Sequence, residues 1–397
     1  MGLTSFFTDV SSEMIYPLLQ AFIRTVMSAQ QALLGPVLGI IEGIAESTAS
    51  LTKVFTGYYS DKINKRKFLA ISGYSLSSVS KLLLFLASFG WYFILMSRFF
   101  DRIGKGIRTA PRDALISESA QKGNLGKAFG FHRAMDFAGA FIGVLICYLF
   151  TLEYIDPVTR NLQSVNAFYL LFGISVIPAF FAVLFLFGVK EMRTETGVGK
   201  PKPSLSLKSY NKNLKMFFLV QAVFTLGNSS NQFLLLRSMD LGFSISSVIL
   251  MYLLFNLSTS LLSTFFGSLS DKWGRKILLI SGYSLYAVIY CLFGIIPAES
   301  NYLVWGLWLF YGIYYAMTEG VEKAFVSELS PAESKATALG FYHTITGLLL
   351  LPASIIAGLL YSLAPSFPFI FGGVISVIAS GFLVFIRRGN LITGISD

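Results

Sequence analysis

Apolar stretches of about 20 residues recur along the whole chain, parted by short polar segments rich in Lys, Arg, Ser and Gly. Each is long enough to cross a hydrocarbon layer about 30 Å thick as a helix. The pattern predicts twelve spans, at residues 3–27, 33–60, 68–89, 91–118, 124–151, 166–188, 213–238, 243–270, 276–297, 302–328, 334–363 and 367–388. In lipid every backbone N–H and C=O needs an internal partner, so helices are the expected form of all twelve. The first stretch has no basic leader or small-residue cleavage site and carries Asp9 and Glu13. It is therefore read as a span rather than a signal peptide.

Composition agrees with a polytopic all-α membrane protein. Of 397 residues 54% are hydrophobic and 13% charged, against about a quarter charged in soluble domains. Mean hydropathy is +0.66. The net charge of +10 does not indicate a nucleic-acid partner, because the cations sit in alternate loops. Lys62, Lys65, Arg66 and Lys67 follow span 2, and Lys272, Arg275 and Lys276 follow span 8. The central connection adds Lys190, Arg193, Lys200, Lys202, Lys208 and Lys212. That asymmetry predicts both termini and the connection in the cytoplasm. Cys147 and Cys291 fall inside spans and read as core residues, and no hydrolytic, phosphate-cradling or zinc motif is present. Neither an enzyme nor a cofactor is expected.

The chain also repeats itself. Gly57-Tyr-Tyr-Ser-Asp61-Lys62, with Arg66 and Lys67 after it, is echoed about 210 residues later by Gly267-Ser-Leu-Ser-Asp271-Lys272, with Arg275 and Lys276. Both copies lead into Ile-Ser-Gly-Tyr-Ser-Leu, at Ile71 and Ile280. A repeat at half the chain length predicts two homologous six-span units, 1–188 and 213–397, joined by a 189–212 linker.

Twelve spans in two units with Gly-x-x-x-Asp-Lys in each resemble the major facilitator superfamily, over essentially the whole chain. The first copy departs at Asn64, where a Gly is usual, and has one extra residue before the next span. Ser5–Glu13 and Asp101–Asp113 resemble a bacterial subgroup of permeases. The resemblance implies a monomeric secondary transporter of the bacterial inner membrane working by alternating access. It assigns gating to the loop, with Gly57, Asp61, Arg66, Gly267, Asp271 and Arg275. Arg108 and Arg112, near the cytoplasmic end of span 4, are expected to join the Asp61 loop.

Charge inside a membrane costs at least ~2.5–3.5 kcal/mol per residue unless it faces protein or water. Span 1 nevertheless lines up Ser5, Asp9, Ser12, Glu13, Tyr16 and Gln20 at helical spacing, beside a bend expected at Pro17. Span 2 adds Glu42 and Glu46, span 4 Arg98, Asp101, Arg102 and Lys105, and span 5 His132, Arg133 and Asp136. A buried carboxylate beside cations can hold or release a proton, so Asp9, Glu13, Asp101, Arg98 and Arg102 are the proton-coupling candidates. Arg98 or Arg102 also resembles the superfamily's span 4 arginine. The second unit is different: span 7 offers Asn228 and Asn231, and span 10 Tyr311, Tyr315, Glu319 and Glu322. Tyr16, Arg102, Lys105, Asn228, Asn231, Tyr311, Tyr315 and Glu319 are the substrate-binding candidates.

Gly130, Gly139 and Gly143 partly match the superfamily's exporter spacing, without its proline at Val144. The expectation is proton-coupled export, by antiport, of a small organic or amphipathic solute, with membrane lipid as surroundings. The alternatives are proton-coupled uptake of an organic anion, and a non-concentrating lipid scramblase or sensor on the same fold.

Overall fold

The structure, a computed structural model, describes residues 1–16, 34–63, 65–121, 123–154, 165–189, 206–228, 231–243, 245–297 and 302–386. Pro17, Gln20, Asn64, Lys190, Arg193, Lys200 and Lys202, and the side chains of Glu42 and Glu46, lie outside the described residues. The described chain is helical: α1 Gly2–Glu13, α2 Leu34–Ile63, α3 Arg66–Ser80, α4 Trp91–Ser119, α5 Leu125–Tyr154, α6 Val165–Phe187, α7 Lys212–Gly227, α8 Gln232–Asp240, α9 Ile245–Trp273, α10 Arg275–Ile295, α11 Leu303–Leu329, α12 Lys335–Leu363 and α13 Phe367–Val384. From residue 34 onward these bounds follow the sequence-based spans to within a few residues, with two departures.

Span 3 tightens into a 3-10 helix over Lys81–Phe89. A run of serines precedes the change, and two of their hydroxyls, Ser78 on Tyr74 O (2.9 Å) and Ser80 on Ser77 O (2.8 Å), take carbonyls of the previous turn. Span 7 is broken: α7 stops at Gly227 and α8 restarts at Gln232. The carbonyl of Gly227 accepts a bond from the Tyr286 hydroxyl (3.0 Å), which satisfies a group that would otherwise be stranded.

Helices α1–α6 pack chiefly on one another, and so do α7–α13. Two pairs cross between these sets, α5 with α9 and α2 with α12, supported by α11 against α5 and α12 against α4. The core of the second set is strongly aromatic, built around Trp308, Tyr283, Tyr286, Tyr290, Tyr311 and Phe217. A smaller core, with Val10, Met14, Leu84, Ile94, Phe168 and Phe172, holds the first set together. Outside, residues such as Phe55, Phe180, Leu261, Phe265, Leu359 and Val377 are exposed, which in water would be costly. Seven of the described helices are long and apolar enough to cross a membrane by length and composition.

Met1 packs with Ile116, Leu125, Phe129 and Ala324. The amino terminus thus lies at the same end of the bundle as the start of α5, whose Gly126 meets Asp271 near the end of α9.

Candidate functional site

At that end the two loop motifs perform one task twice. In Gly-x-x-x-Asp the two named residues are four apart, so both face the same neighbour one turn apart. A Cβ on Gly57 would strike the carbonyl oxygen of Ala336 in α12, and one on Gly267 the carbonyl oxygen of Gly126 in α5. Glycine therefore lets each backbone pair meet directly. The acid then reaches the exposed N–H groups that start the partner helix. Asp61 accepts from Ala336 N (3.4 Å), Thr337 N (2.7 Å) and the Thr337 hydroxyl (2.6 Å). Asp271 accepts from Gly126 N and Lys127 N, both at 2.8 Å. A carboxylate at a helix N-terminus satisfies orphan donors and opposes the positive end of the helix dipole.

Arginine orients each acid from behind. Arg66 Nη2 lies 3.0 Å from Asp61 and 2.9 Å from Glu118. Arg275 Nη2 lies 2.7 Å from Asp271, and its other nitrogen contacts Glu328. Gly274, at φ +95°, makes the one-residue turn from α9 into α10. Replacing Asp61 or Asp271 by Asn keeps the shape and removes the charge. Bonds to charged groups contribute about 1.5–3 kcal/mol, so each variant is expected to open this end roughly tenfold to hundredfold more often. Labelling rates of a cysteine placed beneath the contact would report the change, and the two effects should add because the sites are separate. Unaltered labelling in the double variant would contradict a latch.

Arg108 and Arg112 do not join Asp61, contrary to the sequence-based expectation. The Arg108 guanidinium sits 4.3 Å over the Tyr74 ring and donates to Ser77 Oγ. Arg112 donates from Nε (2.9 Å) and Nη2 (2.8 Å) to Asp113 Oδ1, and from Nη1 to Ser5 Oγ at 3.4 Å. The reason is helical phase: Arg108 turns toward α3, and Arg112 is held by its own neighbour Asp113.

Asp113, fully buried, is the centre of a cluster that joins the two sets of helices. His343 Nε2 of α12 lies 2.7 Å from its Oδ2, and Lys323 Nζ of α11 lies 3.5 Å away. Beside it Arg133 of α5 reaches Asp136 on its own helix (3.0 Å) and Glu319 on α11 (3.0 Å). His132 Nδ1 is 3.5 Å from Asp136. Asp113 and Lys323 are separated by the same 210 residues as Asp61 and Asp271. Equivalent positions of the repeat meet each other, as they must on an axis of approximate two-fold symmetry.

The proton-coupling candidates are brought together. Asp9 and Glu13 of α1, Tyr16 just after it, and Arg98, Asp101 and Lys105 of α4 are all half-buried, while Arg102 is buried. The Arg98 guanidinium is 5.2 Å from the centre of the Tyr16 ring. Lys105, Arg102, Arg98 and Lys81 all lie within electrostatic reach of Glu13, and Asp9 senses Asp136, Glu13, Lys105 and Arg108. Lys81, a buried cation donating to the hydroxyls of Ser11 and Ser12, was missed by sequence reasoning, as was Lys323. A lysine inside an apolar span was the available signal for both.

The substrate-binding candidates of the second set gather at the break between α7 and α8. Tyr311 donates to Asn231 Oδ1 at 2.8 Å and Tyr315 to the same oxygen at 3.4 Å. Tyr286 donates to Asn228 Oδ1 at 3.4 Å. Tyr315, half-buried, faces Phe137 of α5 at 6.1 Å. Two candidates are engaged within the protein. Tyr311 is fully buried among Phe255, Trp308 and Tyr314 and props Asn231. Glu319 is engaged by Arg133.

A bundle of long apolar helices with an internal charged cluster and a doubled acid-to-helix contact at one end suits a polytopic membrane transporter. The Major Facilitator Superfamily family profile matches residues 1–236 and 217–391, and the chain belongs to that superfamily. It is 39% identical over 399 residues, covering 97% of this chain and 94% of its relative, to an uncharacterized MFS-type transporter of Methanocaldococcus jannaschii. A shorter match, 29% identical over 143 residues and covering 35% of this chain and 36% of the relative, is to the quinolone resistance protein NorA of Staphylococcus aureus. Among solved structures, the fold resembles the human organic anion transporter MFSD10 (TM-score 0.75, 16% identity, 96% of this chain and 97% of that one). It also resembles the proton:xylose symporter XylE (TM-score 0.77, 18% identity, 97% and 94%).

Proposed function

We propose that the chain is a proton-coupled secondary transporter of the cytoplasmic membrane. Twelve spans form two units, 1–188 and 213–397, which rock about a central site, with both termini and the 189–212 linker in the cytoplasm. Asp9 and Glu13 carry the proton. Arg98, Arg102 and Lys105 supply the counter-charge, and Tyr16, Asn231 and Tyr315 contact the solute. The observation that carries this reading is the cluster itself: two half-buried carboxylates on α1 face cations on α4 in the membrane interior. Neither partner would be tolerated there unless it faced the other or water. With Asp61 and Asp271 latched, the cytoplasmic side is the closed one.

Export of a small organic or amphipathic compound is the task we assign first. It is supported by the partial exporter spacing of Gly130, Gly139 and Gly143 and by the partial likeness to NorA; the close crossing of these glycines on α9 and α1 suits packing in either direction. The α4 cations favour one second reading, uptake of an organic anion. The chain acts as a monomer surrounded by membrane lipid.

In proteoliposomes carrying a pH gradient, Asp9→Asn and Glu13→Gln are expected to lose gradient-driven movement of a fluorescent quinolone. Downhill exchange should survive, because only coupling is removed. Unchanged pH dependence in both variants would sink the assignment. Inward accumulation of a labelled organic anion by the unaltered protein would decide for uptake.

A further inference from the structure

Four helices pass through the closed end in the same three steps: latch, apolar side chain, charged cluster. On α5 Asp271 holds Gly126 and Arg133 reaches Glu319 of the other unit, with Phe129 between them. On α12 Asp61 holds Thr337 and His343 meets Asp113, with Leu339 between them. On α4 Ile116 separates Asp113 from Glu118, the partner of Arg66. On α11 Val326 separates Lys323 from Glu328, the partner of Arg275.

These four apolar residues form two matching groups. Ile116 and Phe129 pack with Ala324 of the second unit. Val326 and Leu339 lie in the large core of the second unit, and Ala114 is the first-unit residue buried in that core. Ile116, Phe129 and Ala114 stand 210 residues before Val326, Leu339 and Ala324. The repeat thus sets one triad on each side of the approximate two-fold axis, each with two large side chains from one unit and an alanine from the other. Phe129 is 1% exposed, and Ala114, Ala324, Val326 and Leu339 are 0% exposed. The backbones are as close here: a Cβ on Gly320 of α11 would come within 3.1 Å of the Gly130 nitrogen and of the Phe129 carbonyl carbon.

Polar contacts hold helices together but do not exclude water, which can replace each hydrogen bond that it breaks. Inward of the triads water would find partners at once. Among the described residues neither ring nitrogen of His132 nor Lys323 Nζ makes a hydrogen bond, and Asp9, Glu13 and Asp101 are only half-buried. A narrow passage walled by alkyl and aromatic groups offers water no partner, so it empties. Because each triad is shared between the units, rocking of one unit against the other parts both.

We propose that the two triads form an apolar septum, distinct from the latch, which keeps water and protons of the latched end from the Asp113 cluster and the carboxylates beyond it. The latch holds the units together, and the septum makes the closed end dry. Its loss is expected to produce a proton leak through an end that is still closed.

The test uses proteoliposomes with an imposed pH gradient, an enclosed pH dye and no solute. The leak runs through water, so failure of the coupling role assigned to Asp9 and Glu13 would leave its outcome unaffected. Spin labels at Lys62→Cys and Ala332→Cys, in a Cys147→Ala, Cys291→Ala background, report in parallel whether the latched end has parted. Phe129→Ser with Leu339→Ser is expected to dissipate the gradient about tenfold faster or more, with the label distances unchanged. Val326→Thr keeps the side-chain shape and adds a hydroxyl, so it should leak in the same direction, and less, even if the double variant does not fold. Phe172→Ser, equally buried but in the core of the first set, should stay tight. Gradients that stay tight in both septum variants would overturn the proposal. So would a leak seen only together with longer label distances, or an equal leak in Phe172→Ser, because either would assign these residues to packing alone.

Discussion

Replacing Gly57 or Gly267 by leucine is expected to cut transport at least tenfold, and replacing both to abolish it. Oversized side chains in a packed interface cost about 1–3 kcal/mol when neighbours can shift. Here the atom in the way is a backbone carbonyl, Ala336 O for Gly57 and Gly126 O for Gly267, which cannot rotate aside. The helices must separate, and Asp61 and Asp271 are carried out of reach of the N–H groups they cap. Steric and electrostatic losses therefore act together. Gly306 of α11 is the control, since a Cβ there meets nothing within 4 Å and Gly306→Ala should be silent. The measurement is flux together with labelling of a cytoplasmic-side cysteine. Faster labelling with lost flux fits a jammed-open gate. Normal labelling in Gly267→Leu would falsify the close-approach role.

The second large effect is expected at Asp113. Asp113→Asn leaves Arg112, Lys323 and His343 facing a neutral amide in a buried cluster. Removing one partner of a buried ion pair typically costs about 3–5 kcal/mol, because the other charge stays uncompensated. Lys323→Met should cost far less, since Asp113 keeps two bonds from Arg112 and one from His343. The double variant Asp113→Asn, Lys323→Met should recover part of the loss, leaving Arg112 as the unpaired cation. Thermal unfolding of the purified variants checks this order. Equal destabilisation by Asp113→Asn and Lys323→Met would show that Asp113 is not the hub.

Much of the architecture was legible because lipid leaves the backbone one solution per span. The helix bounds of α4, α9 and α12 could be read from apolar runs and their basic flanks. The loop repeat likewise foretold two matching contacts at one end. Which helix each acid would cap was not legible, because the repeat says that Asp61 and Asp271 are equivalent without saying what faces them.

Within the candidate site the same division holds. The α1 and α4 stripes were visible as polar residues at helical spacing, and they do meet. Arg108 and Arg112 share the depth of the Asp61 loop, which is all that the sequence shows of their place. Depth along a helix is a sequence property, but direction is settled by neighbours, here Tyr74 and Asp113. The sequence sets Tyr311 on one stripe with Tyr315. Only the packing of Phe255, Trp308 and Tyr314 around it distinguishes a core tyrosine from one facing a cavity.

The sequence alone determined that this is a helical membrane protein with a doubled latch motif and acids set on the α1 stripe, because hydropathy, spacing and repetition are properties of a single chain. Tertiary structure decided that Asp113 and Lys323 meet near the approximate two-fold axis, that span 7 breaks beside Asn231, and that Ile116 and Phe129 close on Ala324. Those facts depend on partners brought from distant helices, and pairing between helices is set by side-chain packing that no single span encodes.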